Sequence, residues 1–341
     1  MRVGLLTVPY RNRPLRELLA ELAKLGVEAV ELGTGNYPGD DHASLDDLLD
    51  NPSAQDTLLA LLEEHGMIIS ALSQHGNPLH PQRQIADAAH TTWRRTIALA
   101  EQLGVPIVNA FSGSPGDSDA GRVPNWVTCA WPPEFLELLE WQWREKVIPY
   151  WRAEAPFAAK HGVRVAIEMH PGFVVYNPGS FLRLRAAAGD NLGANFDPSH
   201  LFWQGIDPVD AIAALAEHEA IFHVHAKDTE LRQAAVRRNG VLDLEPLENV
   251  EKRAWSFRTV GLGHDRSTWA GIVAALQSAG YDHVVSVEHE DERLDTDMAI
   301  RRSIGLLTEL LHDRSSTSVT TAADSLAPSA ADHPLLEGGT S

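Results

Sequence analysis

The sequence predicts a (β/α)8 barrel, on three observations. Eight short apolar runs alternate with eight longer amphipathic stretches along 341 residues, a length that suits such a barrel. The runs are continuous rather than alternating, as in parallel strands covered on both faces. The first strand-to-helix turn reads Val8-Pro9-Tyr10-Arg11-Asn12 and lacks the G-x-G-x-x-G that would mark a doubly wound open sheet.

The strands are expected over residues 3–8, 29–32, 68–72, 107–111, 164–170, 192–197, 221–228 and 283–290. The helical stretches between them span 14–25, 53–65, 85–103, 134–160, 178–188, 208–217, 267–279 and 296–311. Several strands follow a helix-ending glycine, as in Leu25-Gly26-Val27, His161-Gly162-Val163 and Ala279-Gly280-Tyr281. Two connections are long. Residues 112–133, with Trp126 and Trp131, follow the fourth strand, and 232–262 follow the seventh. On a barrel both lie at the C-terminal face, where long loops serve as lids, substrate walls or subunit contacts. Trp126 and Trp131 are candidates for stacking on a sugar, whereas Trp141, Trp143, Tyr150 and Trp151 recur at helical spacing and read as packing against the barrel. The catalytic domain is placed at 1–312. Residues 313–341, rich in Ser, Thr, Ala and Pro from Ser315 onward, read as a disordered tail.

The chain carries 28 Lys and Arg against 47 Asp and Glu, a net charge of −19. The tail from Ser315 holds Asp324, Asp332 and Glu337 and no Lys or Arg, which leaves −16 on the barrel. This charge opposes binding to nucleic acid, and so a metal-dependent endonuclease, and it opposes docking on anionic lipid. Cys129 is the only cysteine, no apolar run reaches the ~18 residues of a membrane span, and the first residues enter a strand directly. A cytoplasmic protein is expected.

Four strand ends carry the chemistry: Glu168-Met169-His170, Asn195-Phe196-Asp197-Pro198-Ser199-His200, His223-Val224-His225-Ala226-Lys227-Asp228 and Val287-Glu288-His289-Glu290. On a parallel barrel these ends meet around one mouth. Carboxylates gathered there are costly unless paired or bound to a metal. One ligand from each of four consecutive strands gives Glu168, Asp197, His225 and Glu288. Three carboxylates and one imidazole suit a divalent ion, Mn²⁺ first, with Mg²⁺ or Co²⁺ as alternatives, better than structural zinc. The period of two along a strand places His170 on the face of Glu168, His223 and Lys227 on that of His225, and Glu290 on that of Glu288. His170 is therefore a candidate acid or base. His289 and Asp291 alternate away from that face. His75 and His80 follow the third strand, where substrate contact and an ordinary loop position are equally open, with His75 carried as the substrate-binding candidate. A sugar-binding barrel without catalysis would not need four buried ionisable ligands.

At these segments the chain resembles the sugar phosphate isomerase/epimerase family, the xylose-isomerase-like barrels, from about Met1 to Leu311. The resemblance implies a divalent metal on Glu168, Asp197, His225 and Glu288, with Glu168 and Glu288 exchanging protons with the sugar. It implies that His200 binds a substrate hydroxyl, and it places Lys227 and Arg258 among substrate-binding residues. The substrate would be a small sugar or keto-glycoside. The sequence offers no Gly-rich phosphate cradle for a phosphorylated one. The chemistry expected is removal of a proton beside a carbonyl through a metal-stabilised enediolate. Some relatives are the large subunits of C-glycoside deglycosidases, which cleave 3-keto-C-glycosides by elimination and pair with a small β-rich subunit. In that reading His170 is the base. A homo-oligomer is the other assembly considered.

Overall fold

The computed structural model describes residues 1–312. The tail expected over 313–341 lies outside the described residues. Eight parallel strands close a barrel: β1 (Arg2–Leu6), β2 (Ala29–Gly33), β3 (Ile68–Ser73), β4 (Ile107–Phe111), β5 (Arg164–Glu168), β6 (Leu192–Phe196), β7 (Ile221–Ala226) and β10 (Val284–Val287). β1 closes the ring by pairing with β2 on one side, Leu5 opposite Val30, and with β10 on the other, Leu5 opposite Val287. The remaining two strands, β8 (Asp228–Leu231) and β9 (Trp255–Arg258), form an antiparallel pair outside the barrel. Among the described residues no helix is long and apolar enough to cross a membrane.

Several strands end earlier than the sequence suggests. β5 stops at Glu168 rather than at residue 170, β7 at Ala226 rather than 228, and β10 at Val287 rather than 290. The expected seventh strand runs straight on into β8, which belongs to a different sheet. The expected helix over 134–160 is a rod in three parts: Pro133–Trp141, a widened turn at Gln142–Val147 and Ile148–Lys160. Pro149 follows the widened turn and has no N–H to return to the preceding one, a common origin of such a bulge. Trp143 and Trp151 are buried in the core, as helix packing against the barrel requires.

Two layers of packing result. Leucines, valines and tryptophans fill the space between strands and helices. Inside, Ala71, Ile107, Ala166 and Phe222 form a separate apolar cluster towards the N-terminal ends of the strands. Phe222 lies at a register shift between β6 and β7 and crosses Gly193, where a Cβ would stand 2.1 Å from its ring. Beyond that cluster the buried side chains are polar: Glu31, Asn109, Asn195, His223, His225 and Ser286 are all sealed from solvent.

Candidate active site

The polar interior opens into a cavity of about 890 Å³ at the C-terminal ends of the strands. Its floor is built from residues at or just beyond those ends. Glu168 closes β5, Asp197 follows β6 and caps the short helix Pro198–Phe202 by accepting from the Ser199 N–H, His225 lies on β7, and Glu288 follows β10. The β-period puts alternate residues on one face, so Lys227 shares the inward face of His225.

These groups are brought into contact. One ligand atom from each of Glu168, Asp197 and His225 falls within a 4.8 Å sphere of mutual separation. His225 Nδ1 lies 3.0 Å from Glu288 Oε2 and 3.3 Å from Glu168 Oε2. Lys227 Nζ stands 2.8 Å from Glu288, 3.0 Å from Glu290 and 3.1 Å from Asp197 Oδ2. Glu168 also meets His200 Nε2 at 3.2 Å, His75 Nε2 at 3.1 Å and the Asn195 amide at 3.0 Å. Asp197 Oδ2, although near Lys227 and His200, accepts no well-formed hydrogen bond.

Burial opposes every charge here, and neighbours decide the outcome. It would raise the Glu168 carboxyl, but His75, His200 and His225 hold it well below the ordinary carboxylate value. Burial would lower His225, yet Glu31 and Glu288 outweigh it and hold the imidazole well above the ordinary histidine value. Lys227 is likewise held up, against its burial, by Asp197, Glu288 and Glu290. His170 goes the other way: burial, helped by His200, pushes it down to about 3. Its ring centroid is 4.1 Å from that of His200, and its Nδ1 contacts the Pro171 carbonyl at 2.6 Å. At neutral pH His170 is therefore an uncharged imidazole in the cavity wall.

Glu168, Glu288, His75, His170, His200 and Lys227 all line the cavity, with Asp197 and His225 directly beneath. Arg258 does not line it. In the β8–β9 pair Arg258 and the cavity-lining Phe257 are adjacent and face opposite ways, so the guanidinium binds Glu230 at 2.7 Å and Asp291 at 3.1 Å instead. His80 and Trp131 are also outside the lining, whereas Trp126 is part of it.

Two residues carry more of the site than the sequence suggests. Glu31, on β2, is fully buried, and both its oxygens lie 3.0 Å from His225 Nε2. Asn109 Nδ2 and Ser286 Oγ donate to it at 2.8 Å, and Ser73 Oγ donates as well. Ionised Glu31 thus receives the Nε2–H of His225 and leaves Nδ1 facing Glu168 and Glu288. The one signal for it is a lone carboxylate inside the apolar run Ala29-Val30-Glu31-Leu32. Asp228 is the other. It faces away from the cavity and accepts from the N–H groups of Thr229, Gly261, Gly263 and His264, His264 Nδ1 and Trp269 Nε1. That cradle needs glycine at 263, where a Cβ would stand 2.4 Å from the Thr229 carbonyl oxygen. Asp228 therefore ties down the long connection after β7.

Comparison with known proteins agrees with this architecture. Residues 19–310 match the family described as the xylose isomerase-like TIM barrel. An uncharacterised protein of Bacillus subtilis (strain 168), YfiH, is 34% identical over 314 residues, covering 91% of this chain and 99% of that protein. Among solved structures, the IOLI protein, determined with a bound zinc atom, superposes with a TM-score of 0.62 at 19% identity, covering 91% of this chain and 98% of its own. A D-tagatose 3-epimerase-like protein gives 0.60 at 20% identity, covering 91% and 97%. The chain belongs to the xylose isomerase-like TIM barrel family.

Proposed function

We propose that this barrel is a divalent-metal-dependent enzyme that removes a proton beside a carbonyl of a sugar or keto-sugar, in the manner of an isomerase or epimerase. The carrying observation is the convergence of Glu168, Asp197, His225 and Glu288 from four adjacent strands. The donor set fits a divalent cation: three carboxylates, one imidazole and a buried Asp197 Oδ2 that accepts no well-formed hydrogen bond. Those four residues would hold it, with Mn²⁺ the first choice. When bound, the ion would polarise the carbonyl and an adjacent hydroxyl and offset the charge that develops on proton removal. An epimerase-like structural neighbour supports the same reading.

The protein's own groups supply the rest. Glu168 and Glu288, both held ionised, are acceptors for the carbon-bound proton. Lys227, charged and buried, and His200, against Glu168, are placed to bind substrate hydroxyls. Glu31 fixes which nitrogen of His225 faces the cluster. A second reading is favoured by one observation, the neutral imidazole of His170 in the cavity wall. As a base it would serve an elimination from a 3-keto-glycoside.

The test is solvent exchange. Mn²⁺-loaded protein is incubated in deuterated water with a panel of sugars, inososes and 3-keto-glycosides. The expected result is deuterium at the carbon beside the carbonyl, lost after chelation and dialysis and restored by Mn²⁺ or Co²⁺. Exchange that survives complete metal removal, or none with any member, rejects the proposal. Release of an aglycone that stops in His170→Ala would select elimination.

A further inference from the structure

Glu168, Asp197 and Glu288 would serve as ligands, but a further carboxylate, Glu290, lines the cavity beside Glu288 and has no part in that set. Its partners are Lys227 and Tyr37. Lys227 Nζ donates to Glu290 Oε2 at 3.0 Å, and the Tyr37 hydroxyl, brought across from the connection after β2, donates to Oε1. Tyr37 lines the cavity as well. Glu290 is thus held from two sides by other staves of the barrel.

Lys227 links this carboxylate to the ligand set. The same ammonium donates to Glu288 Oε2 at 2.8 Å and lies 3.1 Å from Asp197 Oδ2. The Asp197 contact is an ion pair only, since that oxygen accepts no well-formed hydrogen bond. Both oxygens belong to residues that would bind the ion. An ammonium and a divalent cation on the same oxygens repel each other strongly in a buried site. Lys227 can yield, because its ammonium rides on a flexible four-carbon stem. It also has somewhere to stay. Glu290 is already in contact, and the Phe257 ring centroid lies 4.6 Å from Nζ, where its face attracts a cation. Glu290 and Phe257 both line the cavity, whereas Asp197 lies beneath it.

We infer that Glu290 is a positioning residue: it retains the Lys227 ammonium in the cavity wall, so that Asp197 and Glu288 are released to a divalent ion while Lys227 stays beside the substrate. The inference rests on the metal-dependent reading above and adds a residue to it. Lys227 competes with the ion for its ligands, and Glu290 limits that competition by offering the ammonium another partner. Both effects pass through one side chain. An influence of Glu290 on the ion through charge alone would not depend on Lys227.

Calorimetric titration of the chelated and dialysed full chain with Mn²⁺ tests it, in the unaltered protein, K227M, E290Q and K227M/E290Q. K227M should bind Mn²⁺ about tenfold or more tighter than the unaltered protein, and E290Q about tenfold weaker. K227M/E290Q should stay within about threefold of K227M, because no ammonium is left to place. Circular dichroism checks the fold of each variant. Glutamine keeps the shape of Glu290 and an oxygen for Tyr37 and Lys227. Should K227M not fold, crystals of the unaltered chain carry the test. With Mn²⁺ bound, Nζ should stay within hydrogen-bond reach of Glu290 and have left Asp197 and Glu288.

A K227M variant that binds Mn²⁺ no tighter than the unaltered chain overturns the inference. So does an E290Q change that weakens binding as much in the K227M background as alone, which would assign Glu290 to the field of the ion. An ammonium still on Asp197 and Glu288 in Mn²⁺-loaded crystals overturns it too. In each of these cases Mn²⁺ binds and the functional reading stands. Absence of Mn²⁺ binding in all four proteins removes that reading and the inference with it.

Discussion

Replacing Glu31 by glutamine removes a charge and keeps the shape of the side chain. An amide oxygen at the Oε1 position can still receive Asn109 Nδ2, Ser73 Oγ and His225 Nε2, but as neutral hydrogen bonds. The amide nitrogen then faces Ser286 Oγ, a hydroxyl that can turn to accept. A hydrogen bond to a charged group contributes about 1.5–3 kcal/mol against about 0.5–1.5 for a neutral one, so converting three of them costs on the order of 3 kcal/mol. E31Q should therefore fold, with a urea midpoint lowered accordingly. Its second effect reaches His225. With the carboxylate gone, the Nε2–H tautomer loses its strongest partner, and Nδ1 is less firmly presented to Glu168 and Glu288. Changes to such supporting groups typically weaken metal binding by roughly 10–100-fold. Calorimetric titration of metal-free E31Q with Mn²⁺ measures this directly, with circular dichroism confirming the fold. A Mn²⁺ affinity equal to that of the unaltered protein would refute the reasoning.

Three further outcomes are expected. Lys227→Met leaves Asp197, Glu288 and Glu290 without their shared ammonium and should destabilise the metal-free protein by about 3–5 kcal/mol. Added Mn²⁺ should recover part of the lost melting temperature, and a variant as stable as the parent would contradict this. Asp228→Ala leaves six backbone and side-chain groups without their acceptor, each unpaired donor costing about 1–3 kcal/mol. Limited proteolysis should then cut between residues 232 and 262, and an uncut loop would count against the tether. Acid should destabilise the metal-free protein. His170 and His223 sit at about 3 in the fold against an ordinary 6.5, so the unfolded chain binds more protons between those values and stability falls as pH drops through that window. The low-lying carboxyls of Glu31 and Glu168 add to the loss below about 4.5. A urea midpoint at pH 5 equal to that at pH 7 would exclude it.

The barrel was legible because its strands are buried on both faces, and continuous runs such as Val165-Ala166-Ile167 admit few other readings. The convergence at the mouth was legible for the same reason, since parallel strands place all their C-terminal ends together. The end of β5 is hard to read because Met169 is buried yet lies past the last ladder residue, and apolar character does not report pairing. Glu31 gives little signal in the sequence because one charge in a short run looks like an exposed position. Only closure of the ring, which brings β2 across from β7, makes it a partner for His225. The side chosen by Arg258 depends on the β8–β9 register, and the 23 residues between those strands carry no hairpin signal.

The tether at Asp228 has a consequence for how such a chain can change. Segment 229–263 departs and returns beside a single carboxylate, so its two anchors are neighbours, Thr229 held by Oδ1 and Gly263 by Oδ2. A replacement of different length or composition need span no new distance. The residues that would handle the reacting carbon ride on other staves and would be undisturbed by the exchange. What this segment touches can thus drift, or be engineered by transplanting one flap, while the strand-end cluster stays as it was.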